Sequence, residues 1–260
     1  MKKLADFFSS SLEKTIGLLL FIALWELAPR AGWVESTYLS PPSVVAKALL
    51  ALFKSGALSK HLAISLQRAL IGMVIAVTFG TVLGLFIGYF KRIEGFLDSL
   101  FQSFRQMSAF ALFPVFILLF GVGELSKTII IFWASLWPIL LNTINGVKNV
   151  DKLQVQSVKS MGASQGFIFL KVILPAAAPD IFTGIRLGGS YCVMALVAAE
   201  MIGATAGLGY LILYSQETFN IPDMYAGIVG LAIMGLAINY VLRLIEKFFT
   251  SWKQGASIGE

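Results

Sequence analysis

Four charged residues stand inside or at the margin of long apolar stretches: Glu26, Arg105, Arg186 and Glu200. A charge at the centre of a membrane helix costs about 2.5–3.5 kcal/mol on insertion scales, so such a group faces a partner, a water-filled path or the interface. Arg105 and Arg186 read as lying near the cytoplasmic ends of their spans, where long side chains reach back to water. Glu200 reads as lying near the outer end of its span, beside the glycine-rich run "MIGATAGLG". Two roles suit it: lining or gating a translocation path, or a structural hydrogen-bonding role. Arg105, Arg186 and Glu200 are the candidate pathway or gate residues.

Other chemistry has too few groups to work with. The chain has one histidine, His61, and one cysteine, Cys192. A His-based metal site, a nucleophile pair with a second histidine and an intrachain disulfide are therefore all excluded. His61 reads as a loop residue and Cys192 as a buried apolar side chain within a span. Residues 121–128, "GVGELSKT", approach the phosphate-loop pattern, but that pattern needs glycine where Ser126 stands and a β-strand before it. Here the stretch joins two apolar helices and reads as a turn. The chain is thus expected to hold no catalytic group, metal or cofactor of its own.

The elements that position these residues follow from composition. The 260 residues are 57% hydrophobic and only 13% charged, about half the charge of a soluble domain. Residues 69–90, 106–123, 128–147 and 224–242 contain no charge, and each run is close to the roughly 20 residues that cross a bilayer as a helix. Two further spans are less clean, one holding Glu26 and ending at Pro29, the other holding Arg186 and Glu200. The expected fold is an all-α polytopic membrane protein with six transmembrane helices at about 15–30, 65–90, 103–122, 126–147, 181–203 and 224–246, forming a single domain. No cleavage-site pattern follows the first span, so it reads as retained.

Lys and Arg placement sets orientation. With both termini cytoplasmic, the inner segments hold Lys2, Lys3, Lys14, Lys91, Arg92, Lys148, Lys152, Lys159, Lys171, Arg243, Lys247 and Lys253, while the outer 204–223 loop holds none. The outer 30–62 loop runs against this, with four basic residues. The formal charge of +6 is a topology signal, because the lysines are scattered without aromatic interleaving and give no nucleic-acid surface. In that outer loop, Val44, Val45, Ala48, Leu49 and Leu52 share one face of a helix lying along the membrane. In the second span, Gly72, Ala76, Gly80, Gly84 and Gly88 form a stripe that lets helices approach closely, read as intrachain packing in preference to a dimer seam.

Between the fourth and fifth spans lies a polar segment, 151–174, on the cytoplasmic side. Asp151 can cap a short helix, with Gln154 completing a capping box. Leu153, Val155, Val158 and Met161 form its apolar side. Gly162 breaks it at a left-handed turn, a second short helix begins near Ser164, and Pro175 and Pro179 close that helix and open the fifth span. A connector needs only a few residues. A stiff bracket tied by proline to a membrane helix is suited to transmitting a push.

At these residues the chain resembles the inner-membrane permease subunits of binding-protein-dependent ABC importers. Their cytoplasmic motif runs Glu-Ala-Ala, three residues, Gly, nine residues, Ile, one residue, Leu-Pro. Here Gly162 is followed after nine residues by Val172, then Ile173 and Leu174-Pro175, while Gln156, Ser157 and Val158 replace Glu-Ala-Ala. "SPPSVV", "LFPVFILLFGVGELSK", "AAEMIGATAGLGYLI" and the tail containing Trp252 are similar to the nitrate, sulfonate, taurine and bicarbonate branch. The resemblance implies an importer in the bacterial inner membrane. Two permease copies would pair with two cytoplasmic ATPase subunits, which bind the ATP, and an extracytoplasmic binding protein would deliver a small anion. It also implies that Gln156, Ser157, Val158, Lys159, Met161, Gly162, Ala163, Ser164, Leu174 and Pro175 couple to the ATPase. An aromatic acid or a thiamine-precursor pyrimidine is the alternative cargo. A secondary carrier would show inverted repeats with paired broken helices, and none is visible.

Overall fold

The computed structural model describes residues 16–17, 19–35 and 37–254, the side chains of Lys91 and 251–254 excepted. The Lys2, Lys3 and Lys14 of the topology reading, and the side chains of Trp252 and Lys253, lie outside the described residues. All regular structure described is helical: α1 (19–30), α2 (Pro42–Lys54), α3 (Ala57–Tyr89), α4 (Lys91–Gln106), α5 (Ala109–Phe120), α6 (Glu124–Lys148), α7 (Lys152–Ser160), α8 (Gln165–Ile168), α9 (Leu174–Gly203), α10 (Leu208–Glu217) and α11 (Ile221–Gln254). Among the described residues, four helical runs are long and apolar enough to cross a membrane: Ala57–Tyr89, Glu124–Lys148, Gln165–Gly203 and Ile221–Thr250. Arg92–Gln106 and Ala109–Phe120 make a fifth if taken together, although they meet at 94°.

α6 is the central post, with α3 packed along one side and α9 along another. The glycine stripe of α3 makes this possible. A Cβ at Gly72 would lie 2.5 Å from Ile131, at Gly80 2.9 Å from Ile139, at Gly84 2.6 Å from Thr143 and at Gly88 2.9 Å from Val147. The stripe is therefore an intrachain seam, as its spacing predicts. On the other side, Gly184 and Gly188 of α9 approach the Pro138 and Ser135 carbonyls of α6. Dispersion contacts at this range, not hydrophobic transfer, hold helices together in lipid. Cys192 is buried in the same seam, its thiol 3.5 Å from the Ala69 carbonyl.

Three local differences from the sequence reading have physical causes. The 103–122 stretch is not one straight helix: Met107 and Ser108 take extended backbone between α4 and α5. α4 is amphipathic, and its Ile93, Leu97, Phe101 and Phe104 pack on Trp137, Leu140 and Ile144 of α6, so it follows that surface while α5 turns away. His61 is not in a loop, because α2 ends at Ser55, Gly56 turns the chain at φ 77°, and α3 starts at Ala57. Finally, Pro175 and Pro179 do not close a separate helix. A π-helical turn, Phe169–Ile173, joins α8 to α9, with the Leu174 amide bonded to the Phe169 carbonyl five residues back. This wider turn precedes Pro175, whose ring would strike the carbonyl four residues back in a regular helix.

The apolar face expected of α2 holds in part: Val45 is buried and Leu49 and Leu52 pack on the core, mainly against α11, whereas Val44 is 39% exposed. Glu26, the acid in the first apolar stretch, anchors its start: it accepts from the Ser43 amide at 3.0 Å and hydroxyl at 2.7 Å, and pairs with Arg30. A carboxylate at a helix N-terminus satisfies amides that have no intrahelical acceptor.

Candidate functional site

The bracket 151–174 is built from its caps inward. The Asp151 carboxylate accepts from the Leu153 amide at 2.8 Å, starting α7, and the Ser164 hydroxyl accepts from the Phe167 amide at 3.3 Å, starting α8. Between them Gly162 stands at φ 80°, with open space around it. Gln156, Ser157, Lys159, Met161, Gly162 and Ser164 are exposed, whereas Val158, Ala163, Leu174 and Pro175 are half-buried. Val158, Ala163 and Leu174 pack around Ile168 and Ile173. The expected apolar side holds only in part: Val155 and Val158 face the bundle, but Leu153 and Met161 are 68% and 76% exposed. The bracket is tied to α3 by the Tyr89 hydroxyl, 3.0 Å from the Gln165 side-chain oxygen, and by the edge-on Tyr89 and Phe169 rings.

A cavity of about 690 Å³ lies between the α4–α5 bend and the middle of α6 and α9. Arg105, Gln106 and Ser108 come from the bend, Asn142 and Asn145 from α6, and Tyr191 from α9. Trp133, Trp137 and Met194 supply apolar wall. Arg105 thus sits beside the middle of α6 rather than near the end of a straight span, because the chain bends immediately after it. Arg186 stands elsewhere, 3.3 Å from Glu246 of α11.

Glu200 belongs to a third place, a charge cluster at the junction of α3, α6, α9 and α10 in which Arg68, Lys127 and Glu200 are buried and Glu124 is 64% exposed. Its carboxylate takes the Arg68 guanidinium at 2.8 Å, the Ser65 hydroxyl at 2.8 Å and the Gly209 amide at 2.9 Å. Arg68 also grips Glu124 through two N–H groups, at 2.6 and 2.7 Å, and donates to the Ala206 carbonyl; Lys127 donates to Glu124 at 3.0 Å. His61 accepts from the Gly207 amide at 3.0 Å. Arg105, Arg186 and Glu200 therefore do not share one site. In the sequence, Arg68 stands only as the boundary of an uncharged run, and Glu124 and Lys127 read as turn residues. A signal existed: His61, Ser65, Arg68 and Gly72 recur at helical spacing, so the polar groups share one face with the glycine stripe.

The sequence profile of the family described as binding-protein-dependent transport system inner membrane component matches residues 76–253. The chain belongs to that family. Over 240 residues it is 34% identical to the putative aliphatic sulfonates transport permease protein SsuC of Bacillus subtilis (strain 168), covering 91% of this chain and 87% of that one. It is 32% identical over 250 residues to the taurine transport system permease protein TauC of Escherichia coli (strain K12), covering 94% and 91%. The fold matches the MetNI methionine ABC transporter in an inward-facing conformation, with a TM-score of 0.60 at 18% identity over 73% of this chain and 96% of that one. This permease is an integral inner-membrane subunit of an ATP-driven importer and is itself non-catalytic. Its family works with a separate ATPase, where ATP is hydrolysed, and a substrate-binding protein.

Proposed function

We propose that two copies of this permease form the path of an importer for small organic oxyanions of the sulfonate or taurine type. Each copy contributes six spans, with both termini cytoplasmic and the lipid meeting its outer apolar faces. The first span is residues 15–30, whose described part exposes Leu19, Leu20, Phe21, Leu24 and Leu27. The bent α4–α5 pair counts as the third. The chain itself holds no cofactor; ATP stays on the partner.

The observation that carries the coupling reading is the bracket's two-sidedness. Its exposed side (Gln156, Ser157, Lys159, Met161) surrounds a left-handed glycine and suits a groove on the ATPase, Leu153 and Met161 offering apolar anchors. Its other side is packed on Ile168, Ile173 and Ala177, so a push on α7 reaches α9 through the π-helical turn. The cargo class rests on the sulfonate and taurine relatives. An aromatic acid is the second reading, favoured by the indole walls of the cavity.

Reconstitution tests both. Proteoliposomes holding the permease and its ATPase should accumulate taurine or a short alkanesulfonate only when ATP and the binding protein are both present. Accumulation of benzoate in their place would select the second reading. For orientation, a cysteine at Asn220 in a Cys192→Ser background should react with an impermeant thiol reagent from outside, and one at Ser164 should not; the reverse pattern refutes the topology.

A further inference from the structure

Arg105 is a cation beside the middle of α6 that, like the exposed Arg92 and Arg243, meets no carboxylate among the described residues. Arg68, Lys127, Lys148 and Arg186 each meet a carboxylate within 4 Å or less, at Glu124 and Glu200, Glu124, Glu94 and Glu246 respectively. Arg105 makes no ion pair or hydrogen bond among the described residues. It lines the 690 Å³ cavity, and among the described residues no Asp or Glu lines that cavity with it. The volume falls within the roughly 300–1,000 Å³ of small-molecule sites. Arg105 is exposed, so its guanidinium is open to water or to an anion entering the cavity.

What surrounds Arg105 has the make-up of a site for one kind of guest. Gln106, Asn142 and Asn145 add neutral amides, and Asn142 is held against α6 by its bond to the Pro138 carbonyl at 2.7 Å. Trp133, Trp137 and Met194 add apolar wall. A guanidinium binds a planar or tetrahedral oxyanion through two N–H groups at once. The walls then take a short apolar chain, and no carboxylate is present to attract a cation.

We propose that this cavity is an anion-binding station within the membrane subunit. Arg105 holds the oxyanion head of a small organic anion, the Asn142 and Asn145 amides share the head, and the tail lies on the two indoles. The cargo class rests on the importer reading above; the resident site is what is added to it.

The indoles make the site measurable. The full chain, with its ATPase subunits, is placed in phosphatidylcholine nanodiscs and titrated with 3-bromopropanesulfonate, whose bromine quenches nearby tryptophan. Quenching should saturate, should vanish in a Trp133→Phe/Trp137→Phe protein, and should not saturate with neutral 3-bromopropanol. Arg105→Gln should weaken the sulfonate by about tenfold or more, the loss expected for a charge-assisted pair. Arg105→Lys should recover part of it. Unsaturable quenching, equal binding of the neutral compound, or unchanged affinity in Arg105→Gln overturns the proposal. If Arg105→Gln does not fold, the comparison of sulfonate with alcohol on the native protein decides alone. Loss of the signal when phosphatidylglycerol replaces phosphatidylcholine would assign Arg105 to a lipid headgroup and likewise overturn it. Failed taurine uptake with intact sulfonate binding would count against the importer's cargo and leave this site standing.

Discussion

Arg68 and Glu200 are 132 positions apart in sequence and meet at 2.8 Å, with Glu200 fully buried. Two buried charges survive only if their remaining hydrogen-bonding capacity is also met. Here it is: Ser65 bridges both Glu200 oxygens and in turn accepts from the Leu208 amide at 2.8 Å. Gly207, at φ 126°, lies so close to the carboxylate that a Cβ there would overlap it. The pair thus fixes the 204–209 turn against α3, and of the two roles open to Glu200 the geometry favours the structural one.

Glu200→Ala should leave Arg68 buried without its inner partner, and removal of one member of such a pair costs about 3–5 kcal/mol. Thermal unfolding in detergent, followed by size-exclusion chromatography, should show a large loss of folded permease. Glu200→Gln should lose less, because its amide oxygen still accepts from Ser65 and Gly209. A Glu200→Ala protein as heat-resistant as the wild type, yet slow in transport, would return the residue to the path.

The glycines separate into two kinds, and one pair of variants shows it. At Gly84 an added Cβ would meet Thr143 at 2.6 Å and the Leu140 carbonyl at 3.0 Å. Backbone cannot step aside, so Gly84→Ala should destabilise by about 1–3 kcal/mol, as overpacking does. At Gly95, in α4, nothing lies within 4 Å. Gly95→Ala should stabilise by about 0.5–1 kcal/mol through helix propensity. Opposite shifts in melting temperature are the expected reading. Equal shifts would mean that the α3–α6 seam is looser than its distances state.

Uncharged runs carried the helices, and spacing alone carried the bracket: Asp151, Gly162 and Ser164 each stand where their local chemistry places a cap or a left-handed turn. The α4–α5 bend was not legible, because α4 is steered by contacts with Trp137 and Ile144, some forty positions away, and not by any local breaker. The Arg68 cluster escaped for the same reason. Its members come from four helices, so each residue alone looked like a boundary charge or a turn. The π-helical turn had no signature either, since proline normally argues for a break and here sits just past a widened turn.

Gly162 offers the sharpest test of coupling, because its surroundings are empty and only its backbone is special. With φ at 80° and no atom within 4 Å of an added Cβ, a side chain meets no steric obstacle beyond its own backbone. Asparagine tolerates this left-handed conformation, whereas a β-branched residue does not. Gly162→Asn should therefore keep ATPase attachment and transport near the wild-type level. Gly162→Val should carry about 1–3 kcal/mol of backbone strain, too little to unfold the helical body but enough to displace α7 from its seat. The permease should insert normally and then lose its ATPase on purification, or hydrolyse ATP without transport. Co-purified ATPase and uptake, measured side by side, distinguish these outcomes. If valine and asparagine behave alike, the turn's conformation is not what the ATPase reads, and the bracket's coupling role fails with it.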